Sequence, residues 1–170
     1  RGGGRGGGGS SGNGAQFDVS LYHSWALRDD VRLTATSPDI DLLAGGTIGG
    51  RGQARHRVQL NSGVVSNGIG LRFSGGWTGP IRILDTGNGG GALYYSSLAT
   101  LDVRLFGDLQ LRYPGKAWAK GTRVTFAVSN VFDTRQHVRD ASGATPQVYQ
   151  PAFLDPLGRT VALTFRRLFQ

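Results

Sequence analysis

The chain has no cysteine, no methionine and only two lysines, Lys116 and Lys120. Nor does it contain an apolar run approaching the ~18 residues of a membrane-spanning helix. Without cysteine there is no disulfide framework, no thiolate metal site and no thiol nucleophile. Without an initiator methionine, a chain that begins at Arg1 inside a glycine tract is expected to be a fragment or a processed piece of a longer product. No leader sequence of the secretory type is visible. The missing apolar run excludes a helical span. It leaves a transmembrane β-barrel open, because barrel strands carry a far weaker signal.

What is present is glycine and arginine. The 170 residues include 29 Gly, and 19 Lys+Arg stand against 11 Asp+Glu, for a net charge of +8. That length suits one ordinary domain. A basic balance raises two partner classes, nucleic acid and an anionic membrane surface. Residues 1–14, RGGGRGGGGSSGNG, hold nothing that buries apolar surface and read as a Gly/Arg-rich flexible loop or tail. Nucleic-acid-binding segments of this composition usually interleave aromatic residues for stacking. None occurs here, so nucleic acid is not the expected partner.

Residues 15–170 form the second unit, and their pattern is a period of two. In the last stretch Val161, Leu163, Phe165 and Phe169 alternate with Thr160, Ala162, Thr164 and Arg166. Such alternation describes a strand with one apolar and one polar face. A soluble sandwich strand shows the same pattern, so the inference rests on repetition. Phe17–Leu27 alternates in the same way, as do 31–37, 55–65, 69–77, 98–109 and 122–132. The fold class expected is therefore all-β. It is an antiparallel meander of about seven amphipathic strands, a partial transmembrane β-barrel that stays an open curved sheet if isolated.

The connections alternate in length. Arg28-Asp29-Asp30 and Ser66-Asn67-Gly68 are short; 39–54, 78–97 and 134–158 are long, and 110–121 is intermediate. Outer-membrane barrels show this asymmetry, with short periplasmic turns and long external loops. Trp25 and Trp77 fall near strand ends, where interfacial aromatic girdles sit. Counting strands back from the last one places the N-terminal glycine tract on the external side.

The polar faces carry charge, which suits a wet lumen better than a dry core. Arg57, Arg72, Asp102, Arg104 and Arg123 are the lumen-facing candidates; they either pair with carboxylates or guide an anionic ligand. Arg135, His137 and Arg139 are the external-loop ligand candidates. His23 and His56 fall in the lipid-facing register, and none of the three histidines has a partner at metal-ligand spacing. No Ser–His–Asp arrangement is placed by any motif, and the glycine tracts lack the Lys-Ser/Thr of a phosphate loop. The residues support no catalytic role, no metal and no cofactor.

Three segments then resemble a known family: Leu98–Phe106, Thr122–Asp133 with its Asn130-Val-Phe-Asp133 element, and Tyr149–Arg159. Together they are similar to the C-terminal end of a TonB-dependent outer-membrane receptor barrel, with Phe169 as the terminal aromatic. The resemblance covers essentially residues 15–169. It implies uptake of a ferric siderophore, cobalamin or saccharide across the outer membrane of a Gram-negative bacterium. It also implies a plug domain, a TonB-contacting box and about 22 strands in the whole receptor. The partners implied are outer-membrane lipid, the plug and remaining strands of the same receptor, and the TonB system; the piece alone is not transport-competent. Two other readings stay open. One is a small self-contained β-barrel or sheet protein with a binding or structural role. The other is a basic, RGG-tailed nucleic-acid binder.

Overall fold

The structure is a computed structural model and describes residues 14–50, 52–84 and 91–168. The glycine tract 1–13, most of the Thr86–Gly91 tract and Phe169 lie outside the described residues.

Six long strands form one antiparallel sheet: β1 (Gln16–Trp25), β4 (His56–Ser66), β5 (Ile69–Thr78), β8 (Leu98–Asp108), β9 (Thr122–Ser129) and β11 (Thr160–Arg167). They lie side by side in chain order, so the sheet is a meander, and it is not closed into a barrel. The outer edges of β1 and β11 pair with no other strand among the described residues. Two pairs of short strands, β2 (Asp30–Val31) with β3 (Ile40–Asp41) and β6 (Ile81–Ile83) with β7 (Leu93–Tyr95), lie in the connections. β7 is joined on its other side by β10 (Val138–Asp140).

The register brings the period-two pattern into one continuous surface. Phe17, Leu21 and Trp25 stand opposite Val64, Leu60 and His56. Leu71 and Phe73 follow on β5, then Leu105 and Val103 on β8. Phe126 and Val128 on β9 and Leu163 and Val161 on β11 complete the rows. Acidic residues and lysine are absent from this face, and its one arginine, Arg167, sits in the last row opposite Thr122. No apolar side chain of the six long strands is buried. Phe17 is 72% exposed, Leu21 66%, Leu163 60% and Phe165 70%. The apolar rows are thus neither wound into helices nor folded into a core. Strands of ten to eleven residues, at roughly 3.3 Å per residue and a tilt of about 40°, span about 25–28 Å.

One end of the sheet carries tight connections. Asn67 and Gly68 join β4 to β5 with φ of 48° and 78°, the two positive values of a type I′ hairpin turn. The 109–121 connection at the same end opens with α1 (Leu109–Arg112), capped by Asp108, whose side chain accepts from the Gln110 and Leu111 backbone N–H groups. The other end carries the long connections 26–55, 79–97 and 130–159.

Two expectations are corrected by this topology. Residues 31–37 do not form a long strand; pairing stops after Val31. Arg32 instead turns onto Asp39 with two hydrogen bonds, of 2.7 and 3.0 Å. The Ser37 backbone N–H closes a turn on Thr34 at 3.2 Å, just before Pro38. Arg28-Asp29-Asp30 is therefore not a tight hairpin turn of the main sheet but part of the long 26–55 connection. With one strand fewer, β1 starts at the tight-turn end, Gln16 opposite Val65. The expected external placement of the glycine tract concerns residues outside the described ones.

The long connections also hold structure that their composition hid. Ile83, Leu93 and Val138 form the buried apolar cluster, packed against Ile81, Tyr95 and Tyr149. It lies in the three-stranded β10-β7-β6 sheet, built from two separate connections. Burial, with the neighbouring Tyr149, pushes the Tyr95 phenol up to about 12. The folded state then holds this proton more tightly than an unfolded chain, whose phenol loses it near pH 10. Docking of the small sheet is expected to weaken as pH rises from about 10 to 12, and not below that window. A spectrophotometric phenolate titration checks this: the parent chain shows a late step near pH 12, and Tyr95→Phe removes it.

Candidate functional site

The polar face is built by the other parity of the same strands. Asp18, Arg57, Arg72, Asp102, Arg104, Asp108, Arg123 and Arg166 all fall on it. The five lumen-facing candidates therefore share one face, but they do not act as one group.

Arg57 stands near the long-loop end, opposite Ser24 and Thr78, and donates to Gln53 Oε1 at 3.2 Å. Asp102 does not pair with an arginine. Its Oδ1 accepts the Asn130 backbone N–H at 2.8 Å. That contact belongs to the tight corner where β9 ends. Asn130 and Asp133 both have positive φ, 51° and 52°, a region asparagine and aspartate enter more easily than other side chains. Asn130 Oδ1 accepts the Thr134 N–H at 3.0 Å, and its Nδ2 donates to the Thr134 carbonyl at 2.8 Å. Thr134 Oγ1 also donates to the Ala99 carbonyl. Asp133 Oδ1 accepts the Arg159 N–H at 2.9 Å, tying the corner to the start of β11. Gly158 has φ of 57°, and a Cβ there would lie 2.4 Å from Asp133 Oδ1.

Arg72, Arg104 and Arg123 are brought together, and Arg166 joins them. Arg72 stands opposite Arg104 and Arg123 opposite Arg166. The Phe106 ring lies between two of these guanidinium groups, with Arg72 Cζ 5.7 Å and Arg123 Cζ 5.6 Å from its centroid. Both distances suit a cation–π contact. The ring lies over Gly70, where any Cβ would come within 2.1 Å of Phe106 Cζ. Arg123 also reaches Asp108 at 3.5 Å. Sequence reading put Arg166 on the polar face of the last strand without counting it among the candidates, and it missed Phe106. The usable signal was a single aromatic in the polar register of β8 with a glycine in the facing position of β5.

The external-loop candidates separate. Arg135 and His137 line one concavity of about 570 Å³ with Ser97, Leu98 and Pro151. Arg135 lies 3.8 Å from Asp133. Arg139 sits apart on β10, opposite Tyr94, and donates to the Gly143 carbonyl at 3.2 Å. The adjacent Asp140 carboxyl is held below its ordinary range by the Ser142 hydroxyl and by backbone N–H groups. On the apolar face His23 and His56 meet across β1 and β4, Nε2 to Nδ1 at 3.3 Å, and Trp25 stacks on His56 at 5.7 Å. With Trp77 these rings mark the long-loop end; Tyr113 and Trp118, 5.3 Å apart, mark the tight-turn end.

Among the described residues no group of three or more His, Asp or Glu is placed to hold a metal ion. Comparison with protein-family models, with characterised proteins and with solved structures finds no match to this chain.

Proposed function

We propose that the chain is a section of wall from an outer-membrane β-barrel of the TonB-dependent receptor type, taking part in substrate uptake in a Gram-negative bacterium. It is not an enzyme in this reading. One observation carries it: a six-stranded antiparallel sheet presents an uncovered apolar face, and its reverse carries five arginines and three aspartates. Water penalises the first face and lipid penalises the second, so the sheet suits a boundary between them. Aromatic rings at both ends of the strands fit the two interfaces of a bilayer. Long connections at one end and tight ones at the other fit an external and a periplasmic side.

The open edges of β1 and β11 define the partners. Each unpaired backbone group costs several kcal/mol in hydrocarbon, so the wall needs further strands to close. In this reading those strands, a plug against the charged face and the TonB system belong to the whole receptor. A self-contained barrel gains no support from a sheet with two free edges.

The absence of native cysteine makes the test clean. Single cysteines are placed along β4 and labelled with a fluorophore, with the chain held in neutral micelles containing brominated acyl chains. Probes at Val58, Leu60 and Val64 are expected to be quenched by bromine. Those at Arg57, Gln59 and Asn61 are expected to be quenched by aqueous iodide. Equal iodide quenching on both parities defeats the reading.

A further inference from the structure

We propose that the polar face carries a binding site for a small multivalent oxyanion, one with two or more carboxylate or phosphate groups. Arg72, Arg104 and Arg123 hold it around the Phe106 ring, with Arg166 beside them, opposite Arg123. The proposal rests on the reading above only in that this face meets water.

The register is the first argument. Like charges directly opposite each other destabilise an antiparallel pair, yet two such pairs, Arg72 with Arg104 and Arg123 with Arg166, stand on neighbouring strands. The nearby carboxylates offset them only in part, since one of the four, Arg123, has an ion-pair partner. Asp102 brings a negative charge and lines a small recess of about 150 Å³ with Arg72 and Arg104, but its Oδ1 accepts the Asn130 N–H and it forms no ion pair with either arginine among the described residues. Asp108 caps α1 and meets only Arg123. Asp18 leans over Gly63 beside the Arg72 stem without forming an ion pair. Among the described residues Arg72, Arg104 and Arg166 have no ion-pair partner.

The shape is the second argument. Arg104 stands opposite Ala127 and Ala127 opposite Ala162, so the floor between the arginines is low. The concavity above it measures about 530 Å³ and is rimmed by the Thr125, Ser129 and Thr164 hydroxyls. That volume suits a compact solute. Phe106, resting on Gly70, holds the Arg72 and Arg123 guanidinium groups from either side. They are thereby preorganised, which lowers the ordering cost of binding. Guanidinium forks match carboxylate and phosphate oxygens in paired hydrogen bonds. A second concavity of about 380 Å³ continues from Arg123 and Arg166 past Lys120, so positive charge extends to the tight-turn end.

The test uses the 170-residue chain in neutral-detergent micelles, with citrate and pyrophosphate as probes and the urea midpoint as readout. Both anions are expected to raise the midpoint at low salt and less so at high salt. Arg72→Gln and Arg123→Gln are each expected to weaken the apparent affinity on the order of tenfold or more, as loss of a charge-assisted bond implies. Arg82→Gln, on β6 of the loop sheet, leaves it unchanged. Without anion, Arg104→Gln is expected to raise the midpoint, because it removes one like-charge pair; a purely structural arginine lowers it when lost. No anion-induced shift, or a shift that survives both Arg72→Gln and Arg123→Gln, overturns the proposal. So does a hexaglutamate peptide that binds more than about tenfold tighter than either small anion, which assigns the arginines to an acidic segment. Bromine quenching on the opposite face is read on the same samples, so failure of the anion site and failure of the membrane reading are told apart.

Discussion

Leu60→Arg is expected to destabilise the chain in lipid by about 2–4 kcal/mol, whereas Asn61→Arg, one residue on, is expected to change little. Leu60 lies in the middle of the apolar face, between Leu21 of β1 and Gly75 of β5. If the apolar face meets lipid, as proposed, a guanidinium there sits near the midplane of a bilayer, where a cation on the lipid face costs most. Asn61 has the other parity, opposite Ser20 and Ser74, and takes a hydrogen bond from the Ser74 hydroxyl at 3.2 Å. An arginine at that position joins an already charged, wet surface. Urea unfolding of both variants in neutral-detergent micelles measures the difference. Equal costs for the two substitutions contradict a lipid-facing apolar side. A soluble sheet that buried both faces would penalise both.

Asn130→Ala is expected to cost about 3–4 kcal/mol, from two hydrogen bonds worth about 1 kcal/mol each and about 1–2 kcal/mol for a left-handed alanine. The residue is only 7% exposed. Two hydrogen bonds hold its side chain: the Thr134 N–H donates to Oδ1, and Nδ2 donates to the Thr134 carbonyl; the Thr134 hydroxyl, which donates to the Ala99 carbonyl, lies 3.0 Å from Oδ1. Asn130→Gly separates the two contributions. It removes the same bonds but accepts φ of 51°, so it is expected to recover about 1 kcal/mol relative to alanine. The readout is hydrogen exchange at Thr134 and Arg159, whose amides depend on this corner. Faster exchange confined to that corner is the expected result. Unchanged protection in Asn130→Ala rules out a structural role for the side chain.

How far the fold was legible before its coordinates follows from which interactions are local. Five of the six long strands were bounded within two residues of the ranges found, because alternation and the flanking Asn, Gly and Pro residues act within a few positions. The end of β9 was overrun: alternation continues to Phe132, but the strand stops at Ser129. The corner that stops it depends on Asp102 and Ala99 of another strand. Val31–Ser37 failed for a related reason. Its pattern is that of a strand, but Asp39 and Thr34 offer Arg32 and Ser37 closer partners than any neighbouring strand does.

The cationic site was half legible. Parity alone put Arg57, Arg72, Asp102, Arg104 and Arg123 on a common face, and that face is found. Parity says nothing about height along a strand. Asp102 and Arg57 therefore could not be separated from the cluster, and Arg166 and Phe106 could not be added to it.

The amino-acid order on its own settles that the chain is all-β and two-faced, since side-chain alternation along an extended backbone is a property of each strand by itself. Register, and with it the stacking of Arg72, Phe106 and Arg123 and the pairing of arginine with arginine, is decided only when strands meet. The small loop sheet needed two distant connections to find each other. In each case the deciding contacts join residues far apart in the chain, and no local pattern encodes them.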